Sequence, residues 1–174
     1  MEFFSKSQKM KLIFLGFRYF VLELCAASLG DYIQGKYQGP MPTDEQVLFQ
    51  LASGLEYIHS EGILYRGVTP QNVLISSTKP VQMKYCGFES SKSVNERGTC
   101  SSHSGVIGTV NWISPEELKM NQENKILRVS VKSDIFSAGC LFIYFLLRGK
   151  HPFGNNYDKI QENRMTNNPV NEKG

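Results

Sequence analysis

A chain of 174 residues is long enough for one ordinary domain with a core, and too short for two of comfortable size. With 41% hydrophobic and 20% charged residues, 15 Gly and 7 Pro, the composition excludes a disordered or fibrous chain. Nineteen basic residues against sixteen acidic ones give a net charge of +3 with no run of five like charges, so no nucleic-acid arm and no polybasic membrane anchor is expected. Cys25, Cys86, Cys100 and Cys140 are far apart and form no Cys-x-x-Cys pair, which argues against a zinc site or a disulfide framework and fits a reducing compartment.

Residues 1–10 read as an N-terminal extension without the basic-then-apolar order of a signal peptide. From Lys11 to Leu24 the chain is rich in Ile, Phe, Tyr, Val and Leu around a Gly16-Phe17-Arg18 break, which predicts two short strands joined by a turn. Ser28 to Lys36 is a short helix ending at Gly35. Thr43-Asp44-Glu45-Gln46 is a capping-box pattern, and Val47, Leu48, Leu51, Leu55 and Ile58 recur at steps of three and four, which predicts a helix stopping near Gly62. Val73–Ile75 and Val81–Met83 suit a small hairpin, and the serine-rich Ser90–Ser104 reads as a long exposed loop. Asp134 to Leu147 is apolar nearly all round, which predicts a central buried helix ended by His151-Pro152-Phe153-Gly154. Residues 155–174 turn polar and read as a flexible tail. Leu12–Ala27 is interrupted by Arg18 and Glu23, and Ile135–Leu147 falls short of the roughly 18 apolar residues that a bilayer span needs, so no membrane contact by this segment is expected. His59 and His151, each without a second nucleophile or ligand nearby in sequence, read as structural, and Cys86 as a small buried residue at a strand end.

Three landmarks stand in a fixed order: Tyr65-Arg66-Gly67-Val68-Thr69-Pro70-Gln71-Asn72, then Cys86-Gly87-Phe88, then Gly108-Thr109 with Ser114-Pro115-Glu116. Together they resemble the C-terminal lobe of a protein kinase, whose pattern is His-Arg-Asp-x-x-x-x-Asn, Asp-Phe-Gly and Ala-Pro-Glu. Leu22–Leu29, Gly105–Thr109 with Trp112-Ile113, and Asp134–Cys140 narrow the likeness to the inositol-requiring kinase/endoribonuclease group of unfolded-protein sensors, with ribonuclease L more distant. The resemblance runs from about Ile13 to Gly154. It implies an α+β, protein-kinase-like fold truncated at both ends, with the N-lobe strand remnant and hinge over 11–25 and a helical C-lobe over 26–154. The glycine-rich loop, the Val-Ala-x-Lys strand and the nuclease module of that group are not found in the chain.

Phosphoryl transfer depends on an oriented nucleophile and metal-neutralised phosphates, and both tasks fall on carboxylates. In the resembling loop the proton-accepting Asp is replaced by Gly67, which has no side chain, and the loop Lys by neutral Thr69. The metal-binding Asp is replaced by Cys86, or by Tyr85 after a one-residue shift, and Glu89 lies three places too late. Asn72 keeps the family's second metal position, but one amide does not hold magnesium unaided and a thiol prefers softer metals, so magnesium is not expected.

The resemblance further places Leu22 as gatekeeper, the Glu23 carbonyl and Cys25 N–H at the hinge, and Leu74 on the pocket floor, half of an adenine slot for ATP or ADP. It makes Arg66, Trp112 and Asp134 scaffold residues, and Thr99, Ser101 and Ser104 candidates for phosphorylation by another kinase. Glu116, whose family partner is a late Arg, is expected unpaired or differently paired. The expectation is a cytoplasmic pseudokinase, on the cytosolic face of the endoplasmic reticulum if part of a longer sensor. It would pair with a kinase-like protein or a second copy, with no nucleic acid bound by this segment. The competing readings are an active serine/threonine kinase and a nonfunctional truncated product.

Overall fold

The structure is a computed structural model that describes residues 13–14, 17–18, 22–102, 110–122 and 127–171. Strands β1 (Ile13–Phe14) and β2 (Phe17–Arg18) pair antiparallel, Ile13 opposite Arg18 and Phe14 opposite Phe17. Strand β3 (Cys25–Ser28) leads into α1 (Leu29–Ile33), whose first turn is closed by Ser28 and Asp31 bonding each other's backbone N–H at 3.0 Å. The Thr43–Gln46 box caps α2 (Asp44–Ser60) as its spacing predicts, with Val47, Leu51, Leu55 and Ile58 buried along one face. The helix gives way at Gly62, whose φ of +69° suits glycine.

After β4 (Ile63–Leu64) the hairpin partners are β5 (Val73–Ser76) and β6 (Met83–Tyr85), in a three-stranded antiparallel sheet of order β3-β5-β6. The second strand thus starts two residues later than the expected Val81–Met83. This register sets Val73 opposite Tyr85 and Ile75 opposite Met83, so all four side chains enter the core.

The serine-rich stretch is not one long loop. It contains a 3-10 turn at Phe88–Ser90, strand β7 (Lys92–Ser93) paired with β4, and strand β8 (Thr99–Ser102). Helix α3 (Pro115–Gln122) then precedes β9 (Leu127–Ser130), which pairs with β8 and sets Cys100 opposite Val129. Val129 and Leu64 form a small second cluster with Val94 and Cys100 packed on it, and this holds the polar strands in place.

Ser130 caps α4 (Val131–Leu146), which begins three residues before Asp134. Asp134, Ala138, Leu141 and Phe145 are buried, but Ile135 and Leu146 are exposed, so the helix is not enclosed all round as its composition suggests. The polar tail also folds in part: Asn156 caps α5 (Tyr157–Met165), and Val170 and Asn171 N–H groups bond the Pro152 carbonyl. One core joins α1, α2, the three-stranded sheet, α4 and α5, with Leu29, Leu51, Ile75, Leu141 and Phe145 at its centre. Among the described residues, no helix is long and apolar enough to cross a membrane.

Candidate catalytic site

Asp134, 2% exposed near the start of α4, holds the loop that follows β4. Its Oδ2 accepts from Tyr65 N–H at 2.8 Å and its Oδ1 from Arg66 N–H at 2.8 Å, while His59 Nε2 lies 2.9 Å from Oδ2. Arg66 has a φ of +60°, a conformation L-residues avoid, and the two charge-assisted bonds from the Tyr65 and Arg66 N–H groups to Asp134 offset that cost. Its buried guanidinium lies 3.9 Å from Glu117 Oε2, too long for a hydrogen bond. Burial raises the Glu117 carboxyl above its ordinary range, against the opposing pull of Ser133 and Arg66. Glu116, the residue aligned with the family's motif, is exposed. The buried carboxylate in this turn is thus its neighbour, which the alignment alone does not mark.

Tyr65 decides what the loop can do. Its ring is buried against Phe88 at 4.9 Å and Tyr85 at 5.3 Å between centroids, and its hydroxyl donates to the Cys86 carbonyl. Burial, first of all, pushes the phenol well above its ordinary range, so the group stays a neutral donor. The same ring covers Gly67: a Cβ built there would lie 2.8 Å from Tyr65 Cζ. The space beside the residue replacing the catalytic acid is therefore filled by an aromatic ring.

Thr69 is buried, and its hydroxyl caps the 3-10 turn Pro70–Asn72 by accepting from Asn72 N–H at 3.3 Å. The Asn72 amide is committed too, donating from Nδ2 to the Gly67 carbonyl at 2.9 Å, while its backbone carbonyl accepts from Cys86 N–H at 2.9 Å. Gly87, at φ +70°, approaches so closely that a Cβ would meet the Asn72 side chain at 2.8 Å. Cys86 is half-buried at the end of β6, and burial followed by Glu89 raises its thiol above the ordinary value, opposite to what a metal ligand needs. Among the described residues no three His, Cys, Asp or Glu side chains converge as a metal group. These residues do not fit magnesium.

At the hinge, Leu22 and Leu24 are exposed, 57% and 86%, and Glu23 pairs with the buried Lys84 amine from β6. Cys25 opens β3 opposite Ser76, and Leu74 is half-buried opposite Ser28 and Lys84. The Glu23–Lys84 pair, which ties the hinge to the strand before Cys86, has no counterpart in the sequence pattern. Of the phosphorylation candidates, Thr99 is half-buried and donates its hydroxyl to Asn95 Oδ1 at 3.0 Å. Ser101 lies in β8 opposite Arg128, and Ser104 falls outside the described residues.

Beside the loop, a cavity of about 720 Å³ is lined by Thr69, Asn72, Glu89, Asn111, Trp112 and His151, among others. The Trp112 ring meets His151 edge-on at 5.1 Å between centroids. His151 is 4% exposed and accepts Phe153 N–H on Nδ1 at 3.2 Å, so the neutral ring carries its proton on Nε2. Burial, reinforced by Arg164 and opposed by the Asn111 backbone, pushes its pKa down from 6.5 to about 4. The unfolded chain therefore binds a proton near pH 6.5 that the folded chain refuses until about pH 4. Stability should be full above that window and fall as pH drops through it, by about 2 kcal/mol at roughly pH 5. Urea unfolding at about pH 7.5 and pH 5, with His151→Phe as comparison, checks this: the variant should lose clearly less on acidification.

The loop, the Cys86-Gly87-Phe88 turn and the Asp134 helix all lie within the span that a family model matches. The protein kinase domain model matches residues 14–173. The Homo sapiens serine/threonine-protein kinase/endoribonuclease IRE2 is 38% identical over 160 residues, covering 88% of this chain and 17% of that protein. The Oryza sativa subsp. japonica IRE1 is 33% identical over 162 residues, covering 82% and 18%, and Caenorhabditis elegans ire-1 is 38% identical over 146 residues, covering 79% and 14%. The chain spans less than a fifth of the length of each of these relatives. With the family model matched over nearly its whole length, the chain belongs to the protein kinase domain family, and within it resembles the IRE1 kinase/endoribonucleases.

Proposed function

We propose that this domain does not transfer phosphate and works through protein-protein contacts, in the response to unfolded protein to which the name of a Schizosaccharomyces pombe relative, a sensor for unfolded proteins in the ER, points. One observation carries the reading: the Tyr65 ring fills the space beside Gly67 and is tied to the Cys86 carbonyl, so both catalytic carboxylates are lacking and the room for one of them is occupied. The scaffold around that gap is supported by the hydrogen bonds of Asp134 and of the Asn72 amide nitrogen, which favour a retained shape over a collapsed one. Any ATP or ADP contact rests on Leu22, the Glu23 carbonyl, the Cys25 N–H and Leu74, without magnesium. As part of a longer sensor the domain would lie on the cytosolic face of the endoplasmic reticulum.

A phosphotransfer assay with the purified chain tests this, read beside thermal shifts with ATP in the presence and absence of magnesium. No transfer and no magnesium-dependent stabilisation are expected; robust transfer by the unmodified chain establishes the active serine/threonine kinase instead. Gly67→Asp with Cys86→Asp should not restore activity while Tyr65 remains. Gly67→Asp alone should cost about 1–3 kcal/mol by overpacking against that ring. Tyr65→His together with Gly67→Asp should cost less than the sum of the separate changes by about 1–2 kcal/mol, since they share one space.

A further inference from the structure

Helices α2 and α4 leave an apolar groove of about 680 Å³ between them, with Phe49, Ala52 and Glu56 on its α2 side and Ile135, Gly139 and Phe142 on its α4 side. Phe49 is 66% exposed and Ile135 56%, and contiguous apolar surface of this kind marks a place where something binds. In the middle of the groove Gly139 leaves a hole: a Cβ placed there meets nothing within 4 Å. The helices run antiparallel, because His59 near the end of α2 meets Asp134 near the start of α4 at 2.9 Å, and Asp44 at the start of α2 meets Arg148 just past α4 at 2.7 Å. Exposed Glu45, one turn before Phe49, therefore stands at the Arg148 end of the groove, and Lys132 at the other. Arg148 is already engaged with Asp44, which leaves Glu45 as the acid at that end.

Residues 1–12 lie outside the described residues, and their sequence complements this groove. They carry the apolar pair Phe3-Phe4, and the bases Lys6, Lys9 and Lys11 against the single acid Glu2. They are also tethered close by. Ile13 pairs with Arg18, so the β1–β2 hairpin turns the chain back and the segment departs beside Arg18, four residues or about 13 Å of extended chain from Leu22. The next residue, Glu23, pairs with Lys84, and Met83 before it donates its N–H to Gln50 Oε1 at 2.7 Å, the residue after Phe49. Twelve residues extend to about 40 Å. Helix α2 along its whole length measures about 25 Å.

We propose that residues 1–12 dock in the α2–α4 groove of their own chain, with Phe3 and Phe4 filling the space beside Gly139 and Lys9 facing Glu45. The tether fixes the direction: the segment enters at the Phe49 end, so its bases pass Glu45 and the aromatic pair reaches the middle. Glu45 and Ala52 are seven residues apart on α2, about 10 Å. The five residues from Phe4 to Lys9 span up to about 17 Å, enough to bridge them. Apolar burial supplies the attraction and the Lys9–Glu45 pair the register. Because the segment is joined to the surface it covers, its effective concentration is high, and contacts too weak to hold a free peptide suffice. The inference does not rest on the reading above. An active kinase with a covered groove would overturn that reading alone, and an inactive chain with an open groove would overturn this one alone.

Limited trypsin digestion of the full chain tests it, because Lys6, Lys9 and Lys11 are cleavage points within the segment. Cleavage tracks the fraction of molecules in which the segment is released, so it should run about tenfold slower or more after Lys6 and Lys11 than in a free peptide of residues 1–16. Phe3→Ser with Phe4→Ser should bring the rate close to that of a peptide carrying the same changes. Gly139→Leu should do so as well, by filling the hole, and it favours the helix over glycine. The serine pair leaves the described core untouched, so it tests the contact whatever Gly139→Leu does to α4. Glu45→Lys should speed cleavage several-fold, and Lys9→Glu added to it should recover most of the protection at Lys6, read against the matching peptide. A parent chain cut as fast as the free peptide overturns the proposal. Protection that Gly139→Leu leaves intact also overturns it, since the segment then lies elsewhere, as does protection that fades on dilution, since the segment then lies on another molecule.

Discussion

Replacing Asp134 with Ala is expected to destabilise the chain by about 3–5 kcal/mol, the range found when one member of a buried charged network is removed. The two carboxylate oxygens take the Tyr65 and Arg66 N–H groups at 2.8 Å each and the His59 ring at 2.9 Å. Alanine would leave two buried backbone donors without partners, each costing about 1–3 kcal/mol. It would also remove the two bonds that hold the backbone at Arg66, whose φ is +60°. The loss is thus a loss of loop geometry as well as of bonds. Asp134→Asn keeps the volume and one acceptor but turns an amide NH2 toward a backbone donor, so a smaller loss of about 2–3 kcal/mol is expected. For a domain of this length each kcal/mol lowers the melting temperature by about 2–4 °C, so urea and thermal unfolding both resolve the two variants. A cost below about 1 kcal/mol for Asp134→Ala would mean that the loop is held by the Tyr65 ring rather than by the carboxylate.

What could be read from the residues divides along physical lines. The capping box before α2 and the stripe from Val47 to Ile58 are local, since both depend on residues within a turn or two of each other. The Tyr65–Asn72 loop and the Cys86 turn were legible because a fixed order of motifs carries them, and Asp134 with them. Contacts between distant polar residues were not legible. β8 and β9 pair through Thr99–Ser102 and Leu127–Ser130, and no alternation of apolar residues marks β8, whose Thr-Cys-Ser-Ser sequence has a single apolar residue, Cys100, packed on the small cluster at Val129. The shift of β6 by two residues came from what Met83 and Tyr85 could bury across from Ile75 and Val73. The exposed stripe of α4 was hidden for the opposite reason: a helix apolar on every side reads as enclosed whether or not something encloses it. At the site, the missing carboxylates were evident from Gly67 and Cys86, whereas the Tyr65 ring over Gly67 is a matter of side-chain direction.

The tail beyond Asn155 gives the second large effect. Its composition is polar, yet Arg164 in α5 is fully buried and donates from Nη1 to the Ile113 carbonyl and from Nη2 to the Val110 carbonyl, the latter at 2.6 Å. These carbonyls belong to the 3-10 turn Val110–Trp112 and the residue after it, where the chain enters α3. One guanidinium fork thereby fastens the last helix to the segment beside the candidate site, as its planar, paired donors allow and a lysine's single ammonium does not. Charge-assisted bonds of this kind contribute about 1.5–3 kcal/mol each, so Arg164→Ala should cost about 3–5 kcal/mol and Arg164→Lys somewhat less. The variant carries a second signature. Arg164 is the second cause, after burial, of the low His151 pKa, so its removal should let His151 take a proton at higher pH. The acid-side fall in stability should then become shallower in Arg164→Ala than in the parent chain. Urea midpoints across about pH 5 to 7.5 for the parent, Arg164→Ala and Arg164→Lys measure both effects. A variant of unchanged stability with an unchanged acid profile would show that α5 is not fastened through Arg164.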